Sequence, residues 1–258
     1  MKKMRLDELL VNLGLADSRD LAGRYVMAGQ VRINGQVAQQ PGDLALPDAE
    51  VTLDLGPRFV SRGGEKLAAA FEAFALDVRG HVCADVGAST GGFTDCLLQH
   101  GAARVYAIDV GGGILHWKLR QDERVVVMEN TNAREVSLLP ERVAFVSVDA
   151  SFISLRVLLP VISGWFSEKG QAVALIKPQF EAERAETDEG RGVIEKPAVH
   201  RRVLEEVLSS AFDRGYTLGG VARSPIIGPK GNQEFLAWFF WGQRSGKPVA
   251  PMIDALFS

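Results

Sequence analysis

From residue 81 onward, short apolar runs alternate with longer amphipathic stretches, and this alternation leaves the chain few possible architectures. Strand-like runs fall at 81–86, 103–109, 125–130, 144–149 and 171–177. Two more, near 216–224 and 234–241, follow a helix expected around 198–214. Strands separated by helix-length crossovers pair in parallel with helices on both faces. The expectation is therefore a doubly wound α/β sheet of seven strands that ends in a closing hairpin. The runs Val125-Val126-Val127 and Ala172-Val173-Ala174-Leu175-Ile176 show no polar alternation and read as parallel strands buried on both faces.

In such a sheet the carboxyl ends of the parallel strands open onto one crevice. The stretch Asp85-Val86-Gly87-Ala88-Ser89-Thr90-Gly91-Gly92-Phe93 leaves the first of these strands and opens a helix, so its glycines let a ligand approach the backbone. By spacing alone this turn suits nucleotides of many kinds. It is not a Walker loop, because no Gly-Lys-Ser/Thr follows. Asp109 closes the second strand, where a carboxylate can accept hydrogen bonds from ribose hydroxyls; a turn-forming Asp before Val110-Gly111 is the structural alternative.

Asp149 ends the fourth strand and Lys177 the fifth, while Glu234 begins the last. If that last strand runs antiparallel, all three share one sheet edge. Lys66 falls in the first turn of a helix that Ser61 can cap, where the helix dipole disfavours a cation and a nearby acid or ligand is expected. A lysine after a buried strand is costly unless paired, and Asp149 and Glu234 are the available partners. A purely structural ion-pair network is the competing reading. The polar stretch from Phe180 to Pro197 reads as a mobile loop beside this edge.

The first 56 residues form a separate small α+β unit. Leu6, Leu9, Leu10 and Leu13 recur at helical spacing, and Gly14 ends that helix. Asp17 or Ser18 can cap a second helix with Leu21, Ala22, Tyr25 and Val26 on its apolar face. Asn34-Gly35 signals a hairpin, and Val51-Thr52-Leu53-Asp54-Leu55 is a closing strand. Residues 57–60 read as a linker and 61–258 as the second domain. Lys2, Lys3, Arg5, Arg19, Arg24 and Arg32 could present a basic face to phosphates, although the segment also carries eight acids and the charges could be merely solvated.

A formal net charge of −3 means that any nucleic-acid affinity must come from such local clustering. Two cysteines, Cys83 and Cys96, make neither a disulfide framework nor a metal site, and the four histidines are widely spaced, so no metal is expected. With neither a signal peptide nor a long apolar run, the chain reads as cytoplasmic.

The small unit resembles the RNA-binding module of the S-four type through Arg5-Leu6-Asp7, Ser18-Arg19, Gly29-Gln30-Val31-Arg32-Ile33-Asn34-Gly35 and the closing strand. Lys66, Asp149, Lys177 and Glu234 resemble the Lys-Asp-Lys-Glu tetrad of FtsJ-type ribose 2′-O-methyltransferases. With Ser61-Arg62-Gly63-Gly64-Glu65-Lys66-Leu67, Asn130-Thr131-Asn132-Ala133-Arg134, Ser151-Phe152-Ile153-Ser154-Leu155, Lys177-Pro178-Gln179-Phe180 and Gly228-Pro229-Lys230-Gly231-Asn232 in order, the whole chain resembles the TlyA family of ribosomal RNA methyltransferases. The resemblance implies a Rossmann-like seven-stranded methyltransferase sheet and S-adenosylmethionine as cofactor. It implies ribosomal RNA or a ribosomal subunit as partner, and cytidine 2′-hydroxyl methylation as the reaction. It further implies cofactor contacts at Asp85, Gly87, Ser89, Thr90, Gly91, Gly92, Phe93, Asp109 and Asn132. The family also carries a haemolysin label, so a membrane-active protein is one competing reading. A catalytically silent RNA-binding or ribosome-assembly factor is another.

Overall fold

The computed structural model describes residues 2–228, 230–242 and 248–257. Pro229, part of one motif above, lies outside the described residues. The chain divides into two compact units, Met1–Arg58 and Phe59–Ser258.

The small unit runs β1 (Met4–Arg5), α1 (Leu6–Asn12), α2 (Arg19–Met27), β2 (Val31–Ile33), β3 (Gln36–Val37), β4 (Leu44–Ala45) and β5 (Val51–Leu53). Strand β1 pairs with β4, and β2 pairs with β3 on one side and β5 on the other, all antiparallel. Ser18 is the cap of α2: its Oγ accepts the Leu21 N–H. Asn34 and Gly35 both take positive φ, as a tight hairpin turn requires. Leu6, Leu10, Ala22, Val26 and Val31 make the core, whereas Leu13 lies at the end of α1 and is exposed.

The large unit begins with α3 (Gly63–Phe74) and continues β6 (Val82–Val86), α4 (Gly92–Gln99), β7 (Arg104–Ile108), α5 (Trp117–Arg120), β8 (Val125–Met128), β9 (Val143–Val148) and α6 (Leu155–Ser163). It ends with β10 (Phe166–Ile176), α7 (Pro178–Glu181), α8 (Arg184–Glu189), α9 (Pro197–Asp213), β11 (Tyr216–Arg223), β12 (Phe235–Trp241) and α10 (Val249–Phe257). The seven strands lie in the order β11-β12-β10-β9-β6-β7-β8, parallel except for β12, which is antiparallel to both neighbours. Residues from α3 and α4 pack one core on one face; residues from α6, α9 and α10 pack the other.

Several sequence expectations need correction. Strand β8 is the outer edge of the sheet, paired only with β7, so Val125-Val126-Val127 is partly exposed and not fully buried. An unalternated valine run therefore reflects β propensity here, not central position. The polar stretch 180–197 is not a structureless loop. It begins in the last turn of α7 and holds α8, the latter with a capping box in which Glu183 and Glu186 each accept from the other's backbone N–H. Ser61 is not the cap of α3; Arg62 occupies that position. Phe59, expected in the linker, is buried in the large unit against Gly64, where a methyl group would lie 2.2 Å from its ring. Among the described residues, no helix is long and apolar enough to cross a membrane.

Candidate active site

The strand order reverses between β6 and β9, and the crevice at their carboxyl ends is the position that such sheets use for ligands. A two-lobed cleft lies there, with lobes of about 320 and 450 Å³ that share Gly87, Ser89 and Asp149. The turn after β6 forms its floor. Gly87 has φ of 81°, and a methyl group on it would lie 2.7 Å from the Asp149 carbonyl oxygen. Only glycine lets these two strand ends come so close. Ser89 also holds a positive φ, a costly conformation for a residue with a side chain, and its N–H donates to Asp109 Oδ2 at 2.7 Å.

The first lobe is lined by Ser61, Gly63, Lys66, Thr90, Gly92, Phe93 and Ile227, among others. The second is more apolar, with Val86, Ile108, Val110, Ile114 and Leu158 beside Asp109, Asn132 and Arg134. Asp109 accepts from Gly111 N–H (2.7 Å) as well as from Ser89 and so ties the two glycine-containing turns together. A carboxylate has about four acceptor sites, so capacity for a ligand's hydroxyls remains. Asn132 Oδ1 accepts the Arg134 N–H and its amide donates to Glu135, so the same residue that lines the cleft also caps a 3-10 turn.

Two residues of the expected set stand elsewhere. Asp85 is fully buried beneath the turn; Thr94 donates to one of its oxygens at 2.7 Å and Ser147 to the other at 3.0 Å. Burial pushes its pKa up to about 7. It braces β6, α4 and β9 and does not line the cleft. Gly91 is likewise turned from the cleft toward Leu119 and Leu115, where a side chain would collide with their methyl groups.

The four ionisable residues at the strand ends form two pairs. Lys66 Nζ donates to Glu234 Oε2 at 2.5 Å, and Glu234 is 1% exposed. Lys177 Nζ lies 2.6 Å from Asp149 Oδ1 and donates to Ser151 Oγ at 3.0 Å. The Lys177–Asp149 approach is a charge contact and not an aligned hydrogen bond, since Asp149 Oδ1 has no hydrogen-bond partner. Register explains the convergence: Ile176, just before Lys177, pairs with Phe235, just after Glu234, and Val148, just before Asp149, pairs with Ala174. Helix α3 brings Lys66 to the same edge, with Gly63 close to Asp149.

Residues that sequence reading missed complete the site. Glu129 accepts from the N–H groups of Gly113, Ile114 and Leu115 (2.8–3.0 Å) and from Arg120 at 2.5 Å, which holds the 111–115 loop at the second lobe. These donors lower its pKa to about 2, with Arg120 the largest cause. Phe152 has φ of 62° and is 90% exposed, its ring centroid 4.9 Å from that of Phe180. Nothing in the local spacing marks Glu129. An aromatic residue in Ser151-Phe152-Ile153-Ser154, directly after a strand-end Asp, was the available hint for Phe152.

In the small unit, Lys2, Lys3, Arg5, Arg19, Arg24 and Arg32 are all exposed. The structure joins two of them: Arg5 (2.8 Å) and Arg19 (3.3 Å) both contact the buried carboxylate of Asp7. The hydrogen bond from Arg5 is the largest cause that holds Asp7 below its ordinary pKa.

The reversed strand order, the antiparallel β12 and the cleft at β6/β9 define a Rossmann-like methyltransferase fold. Comparison with known proteins agrees: the FtsJ-like methyltransferase family matches residues 59–240 and the S4 domain matches residues 4–51. The chain belongs to the TlyA family of FtsJ-like methyltransferases, with an S4 domain at its N-terminal end. It is 45% identical over 243 residues to the 16S/23S rRNA (cytidine-2′-O)-methyltransferase TlyA of Mycobacterium tuberculosis, across 92% of this chain and 90% of that protein. It is 41% identical over 239 residues to Hemolysin A of Brachyspira hyodysenteriae, across 92% of this chain and 99% of that one. A solved structure that carries a hemolysin designation, from Streptococcus thermophilus, superposes with a TM-score of 0.75 at 42% identity, covering 99% of this chain and 94% of that chain.

Proposed function

We propose that this protein transfers a methyl group from S-adenosylmethionine to the 2′-hydroxyl of a cytidine in ribosomal RNA, and that Lys66, Asp149, Lys177 and Glu234 carry the reaction. The observation behind this reading is the pair of Lys–carboxylate contacts, at 2.5 and 2.6 Å, on the edge of the cleft. The cleft suits the cofactor chemically. Its second lobe offers apolar walls for a purine, Asp109 has acceptor capacity for ribose hydroxyls, and the turn at Gly87 brings the ends of β6 and β9 together with no side chain between them. In this reading Gly87, Ser89, Thr90, Gly92, Phe93, Asp109 and Asn132 hold the cofactor, while Asp85 and Gly91 shape the turn from behind. S-adenosylmethionine, when bound, supplies an electrophilic methyl on a cationic sulfur.

The hydroxyl must lose its proton as its oxygen gains the methyl group. In this reading Lys177 Nζ, as the neutral amine left once its own proton has gone to solvent, accepts that proton. Asp149 then pairs with the ammonium formed, and Ser151 fixes the nitrogen from a second side. Glu234 holds Lys66 in the same way at the neighbouring position. Alignment of oxygen, methyl and sulfur accounts for most of the rate. Phe152 offers an exposed ring, packed on Phe180, for an unpaired base, and the Phe180 ring in turn lies 6.0 Å from Lys177 Nζ; such stacking is worth about 1–3 kcal/mol per base. The S4 domain, with Arg5 and Arg19 about half exposed, supplies phosphate contacts.

The test is transfer of labelled methyl groups from S-adenosylmethionine to purified ribosomal subunits and to naked ribosomal RNA, with Lys177→Ala as control. The expected product is a 2′-O-methylcytidine that disappears in the variant. Label on a base, or no label in any RNA despite cofactor binding, defeats the proposal.

A further inference from the structure

The loop after β9 and the segment after β10 meet at a succession of contacts. Asp149 and Ser151 of the first contact Lys177 of the second. Phe152 packs on Phe180. At the far end, Ser154 Oγ–H and Leu155 N–H each donate to a different oxygen of Glu181, both at 2.6 Å. Glu181 is 5% exposed, and Arg156 donates to its backbone carbonyl at 3.0 Å while its guanidinium lies 3.5 Å from the carboxylate. A buried carboxylate with both oxygens occupied by the facing loop is a costly way to fill space, because an apolar side chain would avoid the desolvation. What the carboxylate adds is direction, since two short bonds and a charge set the register of one segment against the other.

We infer that Glu181 is a positioning residue that, by gripping Ser154 and Leu155, sets the spacing of Asp149 and Ser151 against Lys177 and of Phe152 against Phe180. Glu181 acts through Lys177 and touches neither cofactor nor acceptor. This inference rests on the methyltransferase reading for its kinetic consequence, but the clamp itself is measurable without RNA or cofactor. Loss of the grip frees the loop that carries Asp149 while the core strands remain in place. Misplacement of a reacting group by about 1 Å costs up to roughly 100-fold in rate.

The experiment compares the full chain with Glu181→Ala, Glu181→Gln and Ser154→Ala. Amide hydrogen exchange is followed at residues 150–155, and kcat is measured at saturating S-adenosylmethionine and RNA. Glu181→Ala should speed exchange in 150–155 without speeding it in β6 or β9, and lower kcat by about 10- to 100-fold, more than it changes either KM. Glu181→Gln retains an acceptor for Leu155 N–H and should recover most of kcat. Ser154→Ala, a smaller truncation that stands in if Glu181→Ala does not fold, should shift both readings in the same direction by less. Unchanged exchange at 150–155 overturns the clamp whatever the activity. A kcat within twofold of wild type alongside faster exchange overturns its role in positioning. Wild-type protein that transfers no methyl group defeats the functional reading instead, and leaves the exchange result to decide the clamp.

Discussion

In the small unit, the buried Asp7 carboxylate gathers two arginines whose side chains stay 48% and 55% exposed. In the large unit, Glu234 and Lys66 are both withdrawn from water, at 2% and 11% side-chain exposure. The same pairing of acid and cation therefore serves opposite ends. Around Asp7 the acid is spent inside so that guanidinium groups are held outward, where a phosphate can still reach them and salt can screen them. Around Glu234 both charges are largely withdrawn from water, so each depends on the other, and Lys66 lines the cleft.

The largest effect that tests this contrast lies in the cleft. Lys177→Ala should reduce single-turnover methyl transfer by about 10²- to 10⁴-fold while cofactor binding persists; a variant with the wild-type rate removes Lys177 from the reaction. Glu234→Gln should also cost stability, since it leaves the Lys66 ammonium buried without a counter-charge. Loss of about 3 kcal/mol in denaturant unfolding is expected, and a loss near zero would mean that Lys66 is effectively solvated. Removing Arg5 or Arg19 acts on the exposed side of the comparison. Each alanine variant should weaken RNA binding for all sequences alike and reduce the slope of log affinity against log salt by about one. An unchanged slope would show that these guanidinium groups do not meet phosphates.

The smallest effect compares two buried carboxylates by pH. Asp7 has a lowered pKa, so its ion pairs stabilise the fold above the ordinary carboxylate pKa of about 4 and are lost on acidification. Asp85 has no cation beside it in its hydrogen-bond set and titrates at about 7 in the folded chain. Its folded form binds more protons than the unfolded chain between about pH 4 and 7, so stability falls as pH rises through that window. Asp85→Asn should flatten the decline seen by thermal unfolding between about pH 4 and 7, whereas Asp7→Asn should flatten the loss below about pH 4. If Asp85→Asn leaves the profile unchanged, the Thr94 and Ser147 hydroxyls stabilise the charged carboxylate more than burial opposes it.

Much of this was legible in the chain because it depends on local periodicity. The glycine turn at 87–92, the strand-end positions of Asp149 and Lys177, and the Ser18 cap each follow from patterns a few residues long. Strand β8 misled because a run of valines looks the same at the edge of a sheet as at its centre; only pairing distinguishes them. Asp85 misled for a related reason. Alternation along β6 could not reveal that its side chain points into the body of the sheet, toward Thr94 and Ser147, and not into the cleft.

Glu129, Glu181 and α10 show the other limit. Each matters through partners distant in sequence: backbone amides 14 to 16 residues away for Glu129, Ser154 and Leu155 for Glu181, and Arg223, which donates to the Leu256 carbonyl, for the last helix. By itself the sequence determined the two kinds of unit, the parallel sheet and the residue types at its carboxyl edge, because apolar period and turn chemistry are short-range. The tertiary structure alone decided which carboxylate met which cation. Pairing depends on strand register and burial, and a one-residue shift of β12 against β10 would carry Glu234 to the opposite face of the sheet.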